Sequence, residues 1–213
     1  MSTLIKSACF IIFFLGISFM ASAQDILAKE KFHTGDIIFQ MSDSKQCEAV
    51  RLATHSPYSH CGVLFQEKGE WFVLEAVEPV RIIPLNEFIK HGLKEHFVVK
   101  RLKSSVYELK LTDFTKMYVI GKNWIGKHYD IYFEWNTNNL YCSELVWKLY
   151  HEAAQIELCK TKKLKDFDLN HPLVREIMSE RYGAKIPYDE QVVAPSDLFD
   201  SEKLELIFQQ GKP

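Results

Sequence analysis

The chain has 213 residues, 47% of them hydrophobic and 25% charged, and its formal net charge is −2. That describes one ordinary globular domain, long enough to bury a sizeable core. The 26 Lys and Arg are balanced by 28 Asp and Glu with no long basic run, which removes the electrostatic case for nucleic acid as a partner and calls for no anionic lipid surface.

In chain order, Lys6, the apolar run "ACFIIFFLGISF" (8–19) and the small-x-small "ASA" (21–23) read as a secretory signal peptide over 1–23. The apolar run is shorter than the roughly 18 residues of a membrane span. An uncleaved N-terminal anchor is the competing reading. Cys9 lies inside the run without small residues placed for lipid attachment. On the signal-peptide reading, a single domain over 24–213 is exported to the periplasm or beyond, with no stable membrane span after cleavage. Its cysteines are Cys47, Cys61, Cys142 and Cys159, an even set for which two disulfides are conceivable in an oxidising compartment. With no Cys-x-x-Cys and no His-x-x-x-His, a zinc site has little support, and neither metal nor organic cofactor is expected.

"GDIIFQ" (35–40) reads as a strand, and 43–54 as a short helix capped by Asp43 or Ser44. "HCGVLFQ" (60–66) and "EWFVLEAV" (70–77), joined by Lys68-Gly69, read as an antiparallel hairpin. A helical turn over 84–92 ends at Gly92, a strand covers 96–102, and a helix over 111–127 takes Thr112 as its cap. A further helix starts near Cys142, another covers 173–181, and "IPYDEQVVAPSDL" (186–198) is a loop. Strands first and helices later give an α+β class.

From Cys142 onward, Leu145, Val146, Leu149 and Ala153 recur at helical spacing, with Glu144, Lys148 and Glu152 on the other face. Cys142 falls in the first turn, where unpaired N–H groups and the helix dipole stabilise a thiolate. Position alone leaves a buried core cysteine equally open; a nucleophile also needs a base and an orienting group. Strand parity puts His60, Gly62 and Leu64 on one face and Cys61, Val63 and Phe65 on the other, so Cys61 receives no catalytic task. Gly62 beside His60 leaves room for a helix carrying a thiol to come close. His55, at a helix end before Ser56-Pro57, suits a capping role better than that of a base. Glu75 shares a face with Trp71, Val73 and Val77, and symmetric pairing about 67–70 brings it within a residue or two of facing His60. There it can hold the imidazole's tautomer; a surface glutamate on an edge strand is the alternative.

"TGDIIFQ", "SPYSHCGVLF", "VLEAV", "HYDIYF" and "LYCSELVWKLY", in this order, resemble the permuted papain-like amidases of the YaeF/YiiX type, relatives of the NlpC-type cell-wall cysteine peptidases. The resemblance runs from about Gly35 to "APSDLFDS". It implies a circularly permuted papain-like fold, in which the histidine strand precedes the cysteine helix, with an antiparallel, barrel-like sheet packed against that helix. It also implies Cys142 as nucleophile, His60 as general base and then acid, and Glu75 as the orienting residue, with Tyr129 or Asp130 lining the site. The function expected is an exported cysteine amidase or peptidase acting on cell-envelope peptides through a thioacyl intermediate. Two alternatives stand beside it. One is a lipid acyl hydrolase or acyltransferase using the same Cys-His-Glu set on a lipid-derived acyl substrate, since lecithin-retinol acyltransferase-like relatives share the permuted order. The other is a lipid- or peptide-binding module without turnover.

Overall fold

The computed structural model describes residues 31–136 and 138–213; the signal peptide expected over 1–23 lies outside the described residues. The central strand β1 (Ile37–Ser42) carries Ile37, Ile38 and Phe39, all fully buried. A run apolar on both faces can sit only in the middle of a covered sheet. Helix α1 (Lys45–Thr54) follows, capped by Ser44, whose Oγ accepts from the Cys47 N–H at 3.1 Å. It ends on His55 in the left-handed region at φ 52°, the capping role its position suggested.

Strands β2 (His60–Glu67) and β3 (Glu70–Glu75) form the expected hairpin. Lys68 and Gly69 both have positive φ, 51° and 85°, the two-residue turn whose twist matches that of the strands. This turn pairs Glu67 with Glu70 and places Glu75 opposite Gly62. Strand β4 (Arg81–Pro84), helix α2 (Leu85–His91) and strand β5 (Gly92–Leu102) complete the first half. Helix α3 (Leu111–Trp124) starts earlier than Thr112 would place it, because the Asp113 carboxylate accepts from the Lys110 N–H at 2.9 Å and makes Lys110 the cap. Helix α4 (Cys142–Ala154) is the most deeply buried helix: Leu145, Val146, Leu149 and Tyr150 are all fully covered. Then come β6 (Lys162–Lys163), a 3₁₀ turn (Leu164–Asp166), α5 (Pro172–Tyr182), β7 (Gln191–Val192), α6 (Pro195–Phe199) and β8 (Leu204–Gln210).

The main sheet runs β4-β3-β2-β1-β5-β8, with every neighbour antiparallel. It is open, not closed into a barrel: β4 and β8 are its two edges and do not pair with each other. Helix α4 packs on one face, in one apolar cluster with Phe39, Cys61, Val63, Phe65 and Val98. A second, smaller cluster joins Ala49 of α1 to Val174, Ile177 and Met178 of α5 and to Val192 of β7. These two helices stand beside the sheet, near the start of α4.

Candidate active site

His60 is the first residue of β2, and Cys142 the first of α4. The His60 ring stacks on Phe88 of α2 with centroids 5.6 Å apart, and its Nε2 lies 2.6 Å from Oε2 of Glu75. Glu75 faces Gly62, so it meets His60 diagonally across the hairpin, within side-chain reach on one face. The other Glu75 oxygen, Oε1, accepts from Nε of Arg81, the first residue of β4, at 2.9 Å. Burial pushes the Glu75 carboxyl up, but His60 and then Arg81 outweigh it and leave the group below its ordinary value.

Nε2 is engaged by Glu75, and Cys142 acts on the same ring. Burial alone would lower the His60 pKa. The Cys142 contact and then Glu75 reverse that and raise it to about 10. The Cys142 thiol is held well below its ordinary value. A hydrogen bond from the Cys61 thiol is the largest cause; burial opposes it, and His60 and the Cys61 backbone N–H add to it. Both shifts favour the charged forms, a thiolate at Cys142 and an imidazolium at His60. Cys142 also sits where the first-turn N–H groups of α4 lack helical partners.

The family described as permuted papain-like amidase enzyme, YaeF/YiiX, C92 family, matches residues 31–208. The uncharacterised protein YiiX of Escherichia coli strain K12 is 42% identical over 177 residues, 83% of this chain and 86% of that one. A crystal structure described as metalloprotein yiiX from Escherichia coli O157:H7 superposes with a TM-score of 0.79 at 43% identity, covering 84% of this chain and 97% of that one. The chain belongs to the YaeF/YiiX permuted papain-like amidases. That makes it a cysteine hydrolase of the amidase or peptidase kind, with the His60 strand before the Cys142 helix, as the permuted order requires.

In this family member, one expectation about the hairpin needs correction. Helix α4 does not approach over Gly62. It packs on the Cys61, Val63 and Phe65 face, while a Cβ at Gly62 would lie 2.5 Å from Val73 Cγ1 and 2.7 Å from the Leu74 carbonyl oxygen. Gly62 is thus demanded by β3, not by α4. Strand parity holds, and Cys61 packs in the same apolar cluster as Cys142. The Cys61 thiol is itself pushed well above its ordinary value, by burial first and then by Cys142.

Tyr129 and Asp130 separate. The Tyr129 side chain lines a cavity that also has Cys142 in its wall, and its hydroxyl accepts from Gln46 Nε2 at 2.8 Å. Burial and then the Cys142 charge push the phenol well above its ordinary value, so it stays protonated. Asp130 is buried in a turn. Its carboxylate accepts from the backbone N–H groups of Tyr132 and Glu134, each at 2.8 Å, and does not line that cavity. His55 is exposed and lies 3.3 Å from Asp168.

Several supports had no signal in the sequence. Tyr141 and Ser143, on either side of Cys142, both hold Val193: the Tyr141 hydroxyl accepts from its N–H at 3.1 Å, and the Ser143 hydroxyl donates to its carbonyl at 2.8 Å. Glu144 and Lys148, expected on a polar outer face of α4, are buried and paired at 2.6 Å. The Lys148 ammonium also donates to the Asn136 carbonyl and stands over the Trp135 ring. Cys47, Cys61, Cys142 and Cys159 are all free thiols.

Proposed function

We propose that Cys142, His60 and Glu75 act as nucleophile, general base and acid, and orienting carboxylate in hydrolysis of an amide through a thioacyl intermediate. The observation that carries this reading is Glu75 Oε2 2.6 Å from His60 Nε2, with Cys142 close enough to the same ring to raise its pKa to about 10. The Cys142 thiolate attacks the carbonyl carbon, forming the C–S bond. The oxygen that becomes negative is stabilised by first-turn N–H groups of α4 and by the Tyr129 hydroxyl, whose own proton is free because its oxygen accepts from Gln46. His60 gives a ring proton to the leaving nitrogen, the C–N bond breaks, and the amine departs. Water then attacks the thioester while His60 takes its proton; the C–S bond breaks, releasing a carboxylic acid and restoring the thiolate.

The solved relative is called a metalloprotein. Among the described residues of this chain, no three His, Cys, Asp or Glu side chains come together as a ligand set. Export supports an envelope substrate, and the features supporting export are Lys6, the apolar run over 8–19 and "ASA" at 21–23. N-terminal sequencing of the secreted protein tests it, with Gln24 as the expected first residue.

The test of the chemistry is the rate of iodoacetamide labelling at Cys142 against pH, in the mature protein and in His60→Ala. Fast labelling well below the free thiol pKa of about 8.5, slowed in His60→Ala, is expected. Labelling that rises only near that value and ignores His60 would mark Cys142 as an ordinary cysteine and sink the reading.

A further inference from the structure

The cavity beside Cys142 runs between α1 and α5, and Arg181, in the last turn of α5, lines it together with Tyr129 and Phe133. Among the described residues, Arg181 is the one Lys, Arg, Asp or Glu in that wall. Its guanidinium is held in place twice. Nη2 donates to Gln46 Oε1, and Cζ stands over the Phe133 ring, 5.1 Å from the centroid. Gln46 donates in turn to the Tyr129 hydroxyl at 2.8 Å. One amide group thus separates the cation from the phenol, which leaves them at most about 8 Å apart. Holding Gln46 takes only part of what the guanidinium can donate, and among the described residues no carboxylate pairs with it. The nearby acids of α5, Glu176 and Glu180, both pair with Lys45, at 2.7 and 3.3 Å. A last-turn Arg complements the helix dipole, but the dipole requires neither the aromatic seat nor the amide clamp.

A cation that faces a mostly apolar cavity without a counter-ion gains when an anion arrives. The planar fork of a guanidinium matches a carboxylate with two parallel hydrogen bonds. One guanidinium neutralises one carboxylate, whereas a phosphate would bring close to two charges into a wall with no second cation. We propose that Arg181 is a specificity residue: it binds a carboxylate of the substrate, carried a few bonds from the carbonyl that Cys142 attacks. The enzyme is then an amidase of anionic amides. This rests on the thioacyl reading of Cys142, and the bonds broken and formed are those given above.

The test uses alkylating probes that differ only in that charge: N-iodoacetyl glycine, β-alanine and γ-aminobutyrate, each beside its carboxamide. The rate of Cys142 labelling is measured in the mature protein and in Arg181→Met. At the length that reaches Arg181, the carboxylate should label about ten- to a hundredfold faster than its carboxamide, the size of one hydrogen bond to a charged group. Arg181→Met brings that ratio to one or below, since only repulsion by the thiolate remains. A ratio taken within each variant does not depend on how much of it is folded. Glutaryl p-nitroanilide and N-acetyl γ-aminobutyrate, each against its carboxamide, then show by kcat/KM whether the carboxylate belongs to the acyl or the amine side. Ratios near one at all three lengths in the wild type overturn the proposal, and so does a preference that survives in Arg181→Met. In both cases iodoacetamide labelling that still depends on His60 leaves the cysteine hydrolase standing. Labelling indifferent to His60 overturns both.

Discussion

Glu75→Gln keeps the shape of the side chain and removes one buried negative charge. In the native site burial pulls the His60 pKa down, and the contacts with Cys142 and Glu75 raise it to about 10. Glu75 Oε2 stands 2.6 Å from Nε2, and both side chains are nearly out of solvent, at 10% and 2% exposure, so screening by water does little to weaken the pair. A hydrogen bond to a charged group contributes about 1.5–3 kcal/mol, and 1.36 kcal/mol is one pKa unit. Losing the carboxylate therefore lowers the His60 pKa by about one to two units. The sign follows from which form works. The reactive pair exists above the Cys142 pKa and below that of His60, because His60 must carry the proton it gives to the leaving group. In kcat/KM against pH, which reports groups of the free enzyme, the alkaline limb near 10 moves down by about one to two units in Glu75→Gln. The stability linkage has the same direction. A His pKa raised in the folded state stabilises fully below the unfolded value of 6.5, and that stability is lost as pH rises through about 10. In the variant the loss comes at lower pH. An alkaline limb that stays in place would refute the assignment of Glu75 as the group that supports the imidazolium.

Cys61→Ala removes the largest cause of the lowered Cys142 pKa. The acid limb of iodoacetamide labelling is expected to move up by somewhat under about one unit, the size of one ordinary hydrogen bond, where a spectator Cys61 would leave it unchanged. Tyr129→Phe should lower kcat by about a hundredfold, as loss of an oxyanion donor does, with the labelling profile unmoved because alkylation builds no oxyanion; steady-state kinetics beside labelling separates the two. Lys148→Met leaves the Glu144 carboxyl buried without its cation. It should cost about 3–5 kcal/mol in urea unfolding, most of which returns in the double variant with Glu144→Gln.

The sequence alone determined the hairpin and the beginning of α4, since both are local. A period of two along β2 and β3, with the Lys68-Gly69 turn setting the register, puts His60 and Glu75 on one face whatever the rest of the chain does. The spacing of Leu145, Val146 and Leu149 likewise places Cys142 in the first turn of a helix. The strands β4 and β8 were not legible in the same way. They are short or half-exposed edges whose pairing partners, β3 and β5, define them. Which face of the hairpin receives α4 was decided by tertiary packing, because Gly62 is crowded from within the sheet while the Cys61, Val63 and Phe65 face is broad and apolar. The same packing buried Glu144 and Lys148 on a helix face that composition alone marks as polar. It also put Cys61 and Cys142 in one apolar cluster, set Arg81 on Glu75 and tied Val193 across the start of α4. These are contacts between segments far apart or joined by irregular loops. No periodicity records them, and they exist only once the core has brought the segments together.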